Sequence, residues 1–303
     1  MSRARLALIA VLAVGGGMVS DMPARAGSAA GDLYYERTVM LTAGQRCGLF
    51  SPGLLAALAS AQAQARGAAL RAGTSSDDLE AVQRRASAKA TAAACGSRDL
   101  GVAAARVRTA FQGFAQLSEM TYPGDTAPWR ADRSAGKTSL AAWRLIQDVR
   151  FGWDHMSFGL AGRNDAQGLV AVAAFADGAQ PYAARLVIRD TALTSGPFLN
   201  GRSADAHGRI PLASRLPPRS ATRTFNAEAR RAASRYLIPA GAGQAWAFRF
   251  PDAAAPALAR LDPRESVAVE FAFAGHGGDQ VRTAYVEVGD FAAGQAFLNV
   301  AQR

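Results

Sequence analysis

Residues 267–288 have the sequence VAVEFAFAGHGGDQVRTAYVEV, and this stretch decides the fold class of the C-terminal part of the chain. Apolar residues alternate with a period of two from Val267 to Phe273, and a second alternating run extends from Val281 to Val288. The glycine-rich segment 275–279 separates the two runs, which is typical of a β-hairpin. The stretch therefore predicts two antiparallel strands.

Shorter alternating runs upstream of this hairpin predict further strands. They cover residues 143–148, 169–175, 184–188 and 246–250. Because these short strands follow one another without regular helices between them, the pattern favours an antiparallel β-sandwich over a parallel sheet. We expect this β domain to span residues 140–303.

Two stretches have neither the period-two alternation of strands nor the three- and four-residue apolar spacing of helices, and they predict long loops. Residues 122–139 combine prolines with glycine and polar residues, and we expect them to form a linker loop between the two halves of the chain. Residues 191–223 contain four prolines and predict a loop that covers part of the β domain. The last apolar stretch, residues 291–300, predicts a short terminal helix.

Residues 27–121, which precede the predicted linker loop, have the three- and four-residue apolar spacing of helices. Ser51 and Pro52 predict a helix start, because serine is a good N-cap and proline is favoured in the first turn. Gly73 can end that helix in a left-handed conformation. The predicted helices begin near Asp32, Ser51, Ser75 and Arg98. The fold class is therefore α+β, with a helical domain followed by a β domain.

Residues 1–26 have the organisation of a secretory signal peptide. Two arginines precede an apolar run from Leu6 to Val19, and Ala24-Arg-Ala26 matches a signal-peptidase site. The apolar run is too short to span a bilayer comfortably, so a retained anchor is the weaker alternative. The sequence predicts an exported protein, in the periplasm or secreted, with no transmembrane segment after cleavage.

Cys47 and Cys95 are the only cysteines. In an exported chain, two cysteines are expected to form one disulfide. Cys47 precedes one predicted helix and Cys95 follows the next, so an antiparallel hairpin of these helices would bring the two cysteines together. A redox pair would normally have Cys-x-x-Cys spacing, which is absent. We therefore predict a structural disulfide that staples the helical half.

The net charge of +10 does not indicate nucleic-acid binding. Removing residues 1–26 leaves 31 basic and 23 acidic residues, a net charge of +8, and the arginines are dispersed along the chain. Nucleic-acid-binding domains concentrate their basic residues in a patch or stripe. The prediction therefore excludes nucleic acid as a partner and leaves open a weak contact with an anionic envelope surface.

The segment 131–138 matches two catalytic patterns, and its context argues against both. It fits a relaxed phosphate-binding loop, but the sequence predicts neither a buried strand before it nor a helix after it. Ser134 and Lys137 have the Ser-x-x-Lys spacing of penicillin-recognising enzymes, yet no later lysine can supply their Lys-Thr-Gly strand. A Ser/Lys dyad of another type stays open.

The histidines and carboxylates nominate no definite catalytic site. The histidines, at positions 155, 207 and 276, form no metal-binding motif. Trp153-Asp-His155 could orient an imidazole, but no Gly-x-Ser-x-Gly nucleophile motif accompanies it. We therefore assign no catalytic residue, no metal ligand and no cofactor. Four carboxylates stay open as an acid/base pair for sugar cleavage, namely Glu265, Glu270, Glu287 and Asp290.

Tyr122 and Trp129 are the candidate partner-binding residues. They lie in the predicted linker loop, where rigid aromatic rings often anchor partner molecules. The alternative is that both rings pack over the junction between the two halves.

The composition is rich in alanine and arginine, the helical half holds a cysteine pair, and residues 285–297 read YVEVGDFAAGQAF. In these features the chain resembles the uncharacterised exported proteins of alphaproteobacteria. From Trp246 onwards it is also similar to the C-terminal part of the invasion-associated protein B family, in which strands lead into a small terminal helix. That family's cysteines are absent here. The resemblance implies an envelope protein, without a catalytic motif to carry over.

Together, these patterns predict an exported, non-enzymatic binding or interaction module. Its partner would be an unknown envelope protein or a small ligand. The alternative function is a hydrolase acting on cell-envelope material, through the four carboxylates or through Ser134 and Lys137.

Overall fold

The described part of the chain begins within the predicted signal peptide. A computed structural model describes residues 22–137, 139–164, 166–206, 208–275 and 277–299. The first 21 residues of the predicted signal peptide lie outside this part, as do His207 and His276. Residues 22–26 form the start of the first helix.

Four helices form the N-terminal half. They are α1 (Met22–Cys47), α2 (Pro52–Arg71), α3 (Ser76–Ala92) and α4 (Arg98–Ala115). Serine hydroxyl groups cap the last three, because each accepts a hydrogen bond from a backbone N–H in the first turn. These caps are Ser51, Ser75 and Ser97.

Helix α1 organises the helical bundle. It is 26 residues long, whereas the sequence predicted only a short helix from Asp32. Helices α2 and α3 both pack on α1 rather than forming a hairpin with each other. They meet around Tyr34, which is buried against Leu70 and Leu79. Gly73, with a φ of +94°, makes the turn between α2 and α3.

A disulfide joins Cys47, the last residue of α1, to Cys95, which follows α3. The two Cα atoms are 5.5 Å apart. The predicted pairing is confirmed, but the bridge ties α3 to α1 rather than closing a hairpin of α2 and α3.

The remaining chain forms two antiparallel sheets with two short helices. The strands are β1 (Glu119–Tyr122), β2 (Trp129–Asp132), β3 (Ala142–Phe151), β4 (Asp154–Arg163), β5 (Ala166–Ala174), β6 (Ala183–Arg189), β7 (Thr222–Asn226), β8 (Ala229–Ala232), β9 (Trp246–Arg249), β10 (Ser266–Phe273) and β11 (Gln280–Glu287). The helices are α5 (Ala254–Ala259) and α6 (Phe291–Leu298).

The sheets have seven and four strands. Their orders are β1-β2-β3-β4-β5-β9-β8 and β11-β10-β6-β7, and all neighbouring strands are antiparallel. The hairpin predicted from residues 267–288 is confirmed as β10 and β11, with Val267 opposite Val286. The observed fold is the predicted α+β class, with helices first and antiparallel sheets after them.

The main hydrophobic core lies between the two sheets. Phe158 and Phe248 from the larger sheet pack with Phe271 from the smaller one, and all three are fully buried. The rings of Phe248 and Phe271 lie 5.5 Å apart, centroid to centroid. Alternation therefore places one side of the central strands of both sheets in this core, as a sandwich requires.

Loops cover parts of the outer faces of both sheets. On the larger sheet, Leu237 and Ala245 pack against Ala161 and Val172 of β4 and β5 in a second, smaller core. On the smaller sheet, the predicted proline-rich loop lies over β10, where the Ser266 hydroxyl donates a hydrogen bond to a backbone carbonyl of that loop. Because these loops pack on the outer faces of the sheets, β4 and β10 are buried on both faces.

The predicted linker loop over residues 122–139 is wrong, because this segment contributes to the larger sheet. Strand β2 pairs with both β1 and β3, and Tyr122 lies opposite Trp129 in the β1–β2 register. The prolines that suggested a loop, Pro123 and Pro128, lie in the connection between these short strands. Burial of the Tyr122 and Trp129 rings stabilises the pairing of β1 with β2, which the local sequence does not predict.

Among the described residues, no helix combines the length and the apolar character needed to cross a membrane.

We expect the Cys47→Ala/Cys95→Ala double variant to lose about 4 kcal/mol of unfolding free energy, because a loop of this length restrains the unfolded chain. Urea unfolding followed by circular dichroism measures the change. The oxidised and reduced wild-type proteins are the matched controls, and equal stability of variant and oxidised protein would contradict a structural role.

Candidate functional site

The most exposed large apolar side chain that the structure describes is that of Trp153, which is 90% accessible to solvent. It lies in the two-residue turn between β3 and β4, where Phe151 pairs with Asp154. Gly152 precedes it with a φ of +63°, as the first central position of a tight type II′ hairpin turn requires. We call this turn, Gly152 and Trp153, the Trp153 tip.

Ionic contacts that are in part exposed hold the base of the Trp153 tip. The carboxylate of Asp154 accepts hydrogen bonds from the backbone N–H of Ala176, at 2.9 Å, and from Arg282, at 3.1 Å. Arg282 also donates to Asp177 at 2.5 Å, and this contact lowers the pKa of Asp177 to about 2. Three chain segments are thereby joined beneath one exposed indole.

Aromatic packing stiffens the same region. The guanidinium of Arg282 lies 4.7 Å from the ring centroid of Phe273, a cation–π distance. Phe175 contacts Phe271 and Phe273 edge to face, with centroids 5.3 and 5.0 Å apart. The Trp153 tip therefore projects from a rigid aromatic base.

Two hollows flank the Trp153 tip, and Trp153 lines both of them. The first hollow has a volume of about 720 Å³ and also includes Phe151, Asp154, Asp177, Arg282 and Thr283. The second hollow has a volume of about 370 Å³ and also includes His155, Gly178, Gly241, Gln244 and Trp246. One indole therefore separates two concave surfaces that contain polar side chains.

The possible pairing of Asp154 with His155 is not formed. These residues are neighbours on β4, so their side chains point to opposite faces of the sheet. Both oxygens of Asp154 instead bind Ala176 and Arg282. The sequence did contain a signal for Trp153, because Gly-Trp between two alternating runs indicates the tip of a type II′ hairpin.

The structure buries Tyr122 and Trp129, the two predicted partner-binding residues, with no exposed surface. The Tyr122 hydroxyl is hydrogen-bonded to that of Ser60 at 2.7 Å, and the Trp129 indole donates to the carbonyl of Val288 at 3.0 Å. The ring of Trp129 also packs edge to face on Phe291, with centroids 5.1 Å apart. The predicted surface role is therefore overturned, because both rings are core residues at the junction of the two halves.

All four candidate carboxylates have structural partners. Glu270 forms ion pairs with Arg185 and Arg219. Glu287 accepts hydrogen bonds from backbone N–H groups of the β1–β2 connection, including those of residues 125 and 126 at 2.8 and 2.7 Å. Asp290 forms a 2.8 Å ion pair with Arg71 of α2, which links the helical half to the β half.

Glu265, the fourth carboxylate, is 1% exposed and lies 2.7 Å from Arg189. Arg189 is held in turn by the carbonyl and hydroxyl oxygens of Thr194. Burial raises the pKa of Glu265 to about 7, against the opposing attraction of Arg189. Its second carboxylate oxygen has no hydrogen-bond partner among the described residues.

A cleft of about 800 Å³ lies between the two halves. Helices α2 and α3 form one wall, and segments around α5, β6 and α6 form the other. The ion pair between Arg71 and Asp290 crosses this cleft. Gly67 allows α2 to lie close to Asp290, because a Cβ at this position would lie 3.0 Å from the Asp290 carboxylate. Of the charged residues in its lining, Asp290 links the two halves through Arg71, whereas Arg189 pairs with Glu265 within the β half.

Ser134 has a turn-forming contact. It begins a short 3₁₀ helix between β2 and β3, and its hydroxyl donates to the carboxylate of Asp132 at 2.6 Å. No α-helix begins in the described residues 131–137 or 139–141, so these residues do not form the geometry of a phosphate-binding loop. Within the described ranges, no group of three or more histidine, cysteine, aspartate or glutamate side chains could hold a metal ion.

Trp129 and Trp153 provide a matched pair for testing these placements. We expect Trp129→Ala to lower the unfolding free energy by about 3–5 kcal/mol, because it opens a cavity in the core. Trp153→Ala should change it by no more than about 0.5 kcal/mol, because the side chain packs against little. Urea unfolding of both variants measures the difference, and a stable Trp129→Ala variant would contradict the burial of Trp129.

The raised pKa of Glu265 predicts a pH-dependent stability. The folded protein binds this proton more tightly than the unfolded chain, so its stabilising effect is complete below about pH 4.5 and is lost as the pH rises through about 7. The slope from this group is at most about 1.4 kcal/mol per pH unit.

We expect Glu265→Gln to flatten that slope in urea unfolding measured between about pH 5 and 7. The matched control is Glu80→Gln on the exposed surface of α3, which should keep the wild-type slope. Identical slopes in wild type and Glu265→Gln would exclude Glu265 as the titrating group.

Comparisons with known protein families, with curated proteins and with solved structures find no significant match to this chain. The resemblance to alphaproteobacterial exported proteins and to the invasion-associated protein B family therefore stays a prediction. The function has to be argued from the geometry of the site itself.

Proposed function

We propose that this protein is an exported, non-enzymatic binding protein that captures its ligand at the Trp153 tip. The observation that carries this proposal is the 90% exposure of Trp153 on a rigid turn between two hollows. Covering an exposed indole removes a large apolar area from water, which favours the binding of a partner. Its position on the turn makes it available without any rearrangement of the core.

Rigidity makes Trp153 an effective anchor. Binding costs free energy when mobile side chains and loops must be ordered. The Trp153 tip is already held by Asp154 and Arg282 and by the aromatic rings beneath them. Tryptophan is also among the residues that most often dominate binding energy in an interface.

The contacts of the candidate catalytic groups favour binding over hydrolysis. A general acid or base must have a lone pair or a proton available to the substrate. Glu270, Glu287 and Asp290 are occupied by guanidinium or backbone N–H groups, and Ser134 is bonded to Asp132. Glu265 is 1% exposed and paired with Arg189, so its carboxylate is not accessible to a substrate. These observations support structural roles for the four carboxylates and for Ser134.

Export and an envelope partner belong to the same proposal. The basic start, apolar run and cleavage pattern of residues 1–26 support export. The disulfide between Cys47 and Cys95 fits an oxidising compartment such as the periplasm or the extracellular medium. The ligand would then be a component of the cell envelope, as the sequence predicted.

Co-sedimentation with insoluble envelope material tests the proposal. Purified protein is mixed with washed cell-wall and outer-membrane fractions, and the bound fraction is measured over a range of protein concentrations. We expect Trp153→Ala to weaken binding about 30-fold or more, which corresponds to the roughly 2 kcal/mol of an interface hot spot. The fold should be unchanged in the same variant.

Leu193→Ala is the matched control, because Leu193 is 65% exposed in the loop after β6 and lines neither hollow. It should bind like wild type. Equal loss in both variants, or no loss in Trp153→Ala, would contradict a binding site at the Trp153 tip.

A further inference from the structure

We infer that the ligand of the Trp153 tip is a neutral oligosaccharide, with one sugar ring stacked on Trp153 and its neighbours in the two hollows. This inference rests on the proposed function and adds the chemical class of the ligand.

The combination of one indole with polar surroundings fits a sugar. A sugar ring has a face of C–H groups and an edge of hydroxyl groups, and the C–H face complements the electron-rich face of an indole. Around Trp153 the turn contains Gly152, and the neighbouring Arg150 is exposed. Trp153 is the one large apolar side chain on the turn itself, whereas an apolar peptide or a membrane would need a larger contiguous patch of exposed apolar side chains.

The first hollow contains groups that can bind hydroxyls. Asp177 is ionised, and its carboxylate accepts hydrogen bonds from Arg282 and from the backbone N–H of Ala179, which leaves part of its acceptor capacity free. Thr283 adds a hydroxyl that can both donate and accept. Two carboxylates, those of Asp154 and Asp177, face the single guanidinium of Arg282, so the charged side chains that line this hollow have a net charge of −1. This negative charge disfavours an anionic ligand, whereas the hydroxyl groups of a neutral sugar can donate hydrogen bonds to the carboxylates.

The second hollow is kept open by small residues. A Cβ at Gly178, Gly241 or Gly243 would meet no atom within 4 Å, so these positions leave space. His155 and Gln244 supply planar polar groups in the same lining. Donors and acceptors of this kind match ring hydroxyls and acetamido groups.

The position of Trp153 between the hollows predicts a chain of rings. Ligand pockets have volumes of about 300–1,000 Å³, and both hollows fall in that range. A single sugar can stack on the indole but cannot use both hollows. We therefore expect affinity to increase with the number of linked rings.

Isothermal titration calorimetry tests this inference on the full mature protein. The probes are β-1,4-linked oligomers of N-acetylglucosamine and of glucose, each with one to six rings. In at least one series, we expect affinity to rise at least tenfold from one ring to several. Trp153→Ala should lower the affinity at least tenfold, and Trp153→Phe should recover part of that loss by restoring an aromatic face.

Two further variants sharpen the test. Leu193→Ala should bind every oligomer like wild type, because it lies outside both hollows. Gly243→Leu places a side chain in the second hollow and should reduce the affinity for long oligomers more than for single sugars. A folded Gly243→Leu variant that keeps the full length dependence would overturn the two-hollow arrangement.

The result that overturns the carbohydrate class is distinguishable from failure of the proposed function. If no oligomer binds, or if Trp153→Ala binds oligomers like wild type, the ligand is not a sugar of this kind. Trp153-dependent co-sedimentation with envelope material would then still support a binding protein, and Trp153-dependent binding to phospholipid vesicles would assign the tip to a membrane surface. If wild type shows neither oligomer binding nor Trp153-dependent co-sedimentation with envelope material, both proposals are overturned.

Discussion

Burial of helix α6 is the constraint on which the rest of the structure depends. Its two phenylalanines face different halves of the protein, with Phe291 against Trp129 of the larger sheet and Phe297 against Phe114 of α4. At Gly294 the helix approaches the larger sheet so closely that a Cβ would lie 2.5 Å from Leu145. An eight-residue helix therefore joins the bundle to the sandwich by apolar packing, and the ion pair between Asp290, just before it, and Arg71 orients that contact.

The buried carboxylates near this junction have structural roles. Taking a carboxylate out of water is costly unless a cation or several N–H groups compensate it. Glu287 satisfies this requirement with backbone N–H groups and Glu265 with Arg189, so both serve the connections that hold strands and loops in place. At the β3–β4 turn, Arg282 compensates the charge of Asp154, and the neighbouring Trp153 is exposed to solvent. The junction is thus held by paired charges, whereas Trp153 at the hairpin tip is the most exposed of the large apolar side chains that the structure describes.

Prediction from the sequence succeeded where the signal was local. Strands β10 and β11 followed from period-two alternation around a glycine-rich turn. Ser51 was predicted as a cap and Ser75 as a helix start, because both signals need only neighbouring residues. The start of α1 was missed, since alanines and glycines before Asp32 give weak periodicity. Strands β1 and β2 were missed because four residues next to prolines carry little pattern, and distant packing stabilises them.

The sequence by itself determined the two kinds of secondary structure, their order along the chain and the pairing of Cys47 with Cys95, because each depends on spacing or on a lone possible partner. Only the tertiary structure decided which aromatic ring meets solvent. Tyr122, Trp129 and Trp153 all lie next to glycine or proline, yet sheet pairing buries the first two and leaves the third on a hairpin tip. Burial depends on what packs against a residue, and those contacts join residues far apart in the chain.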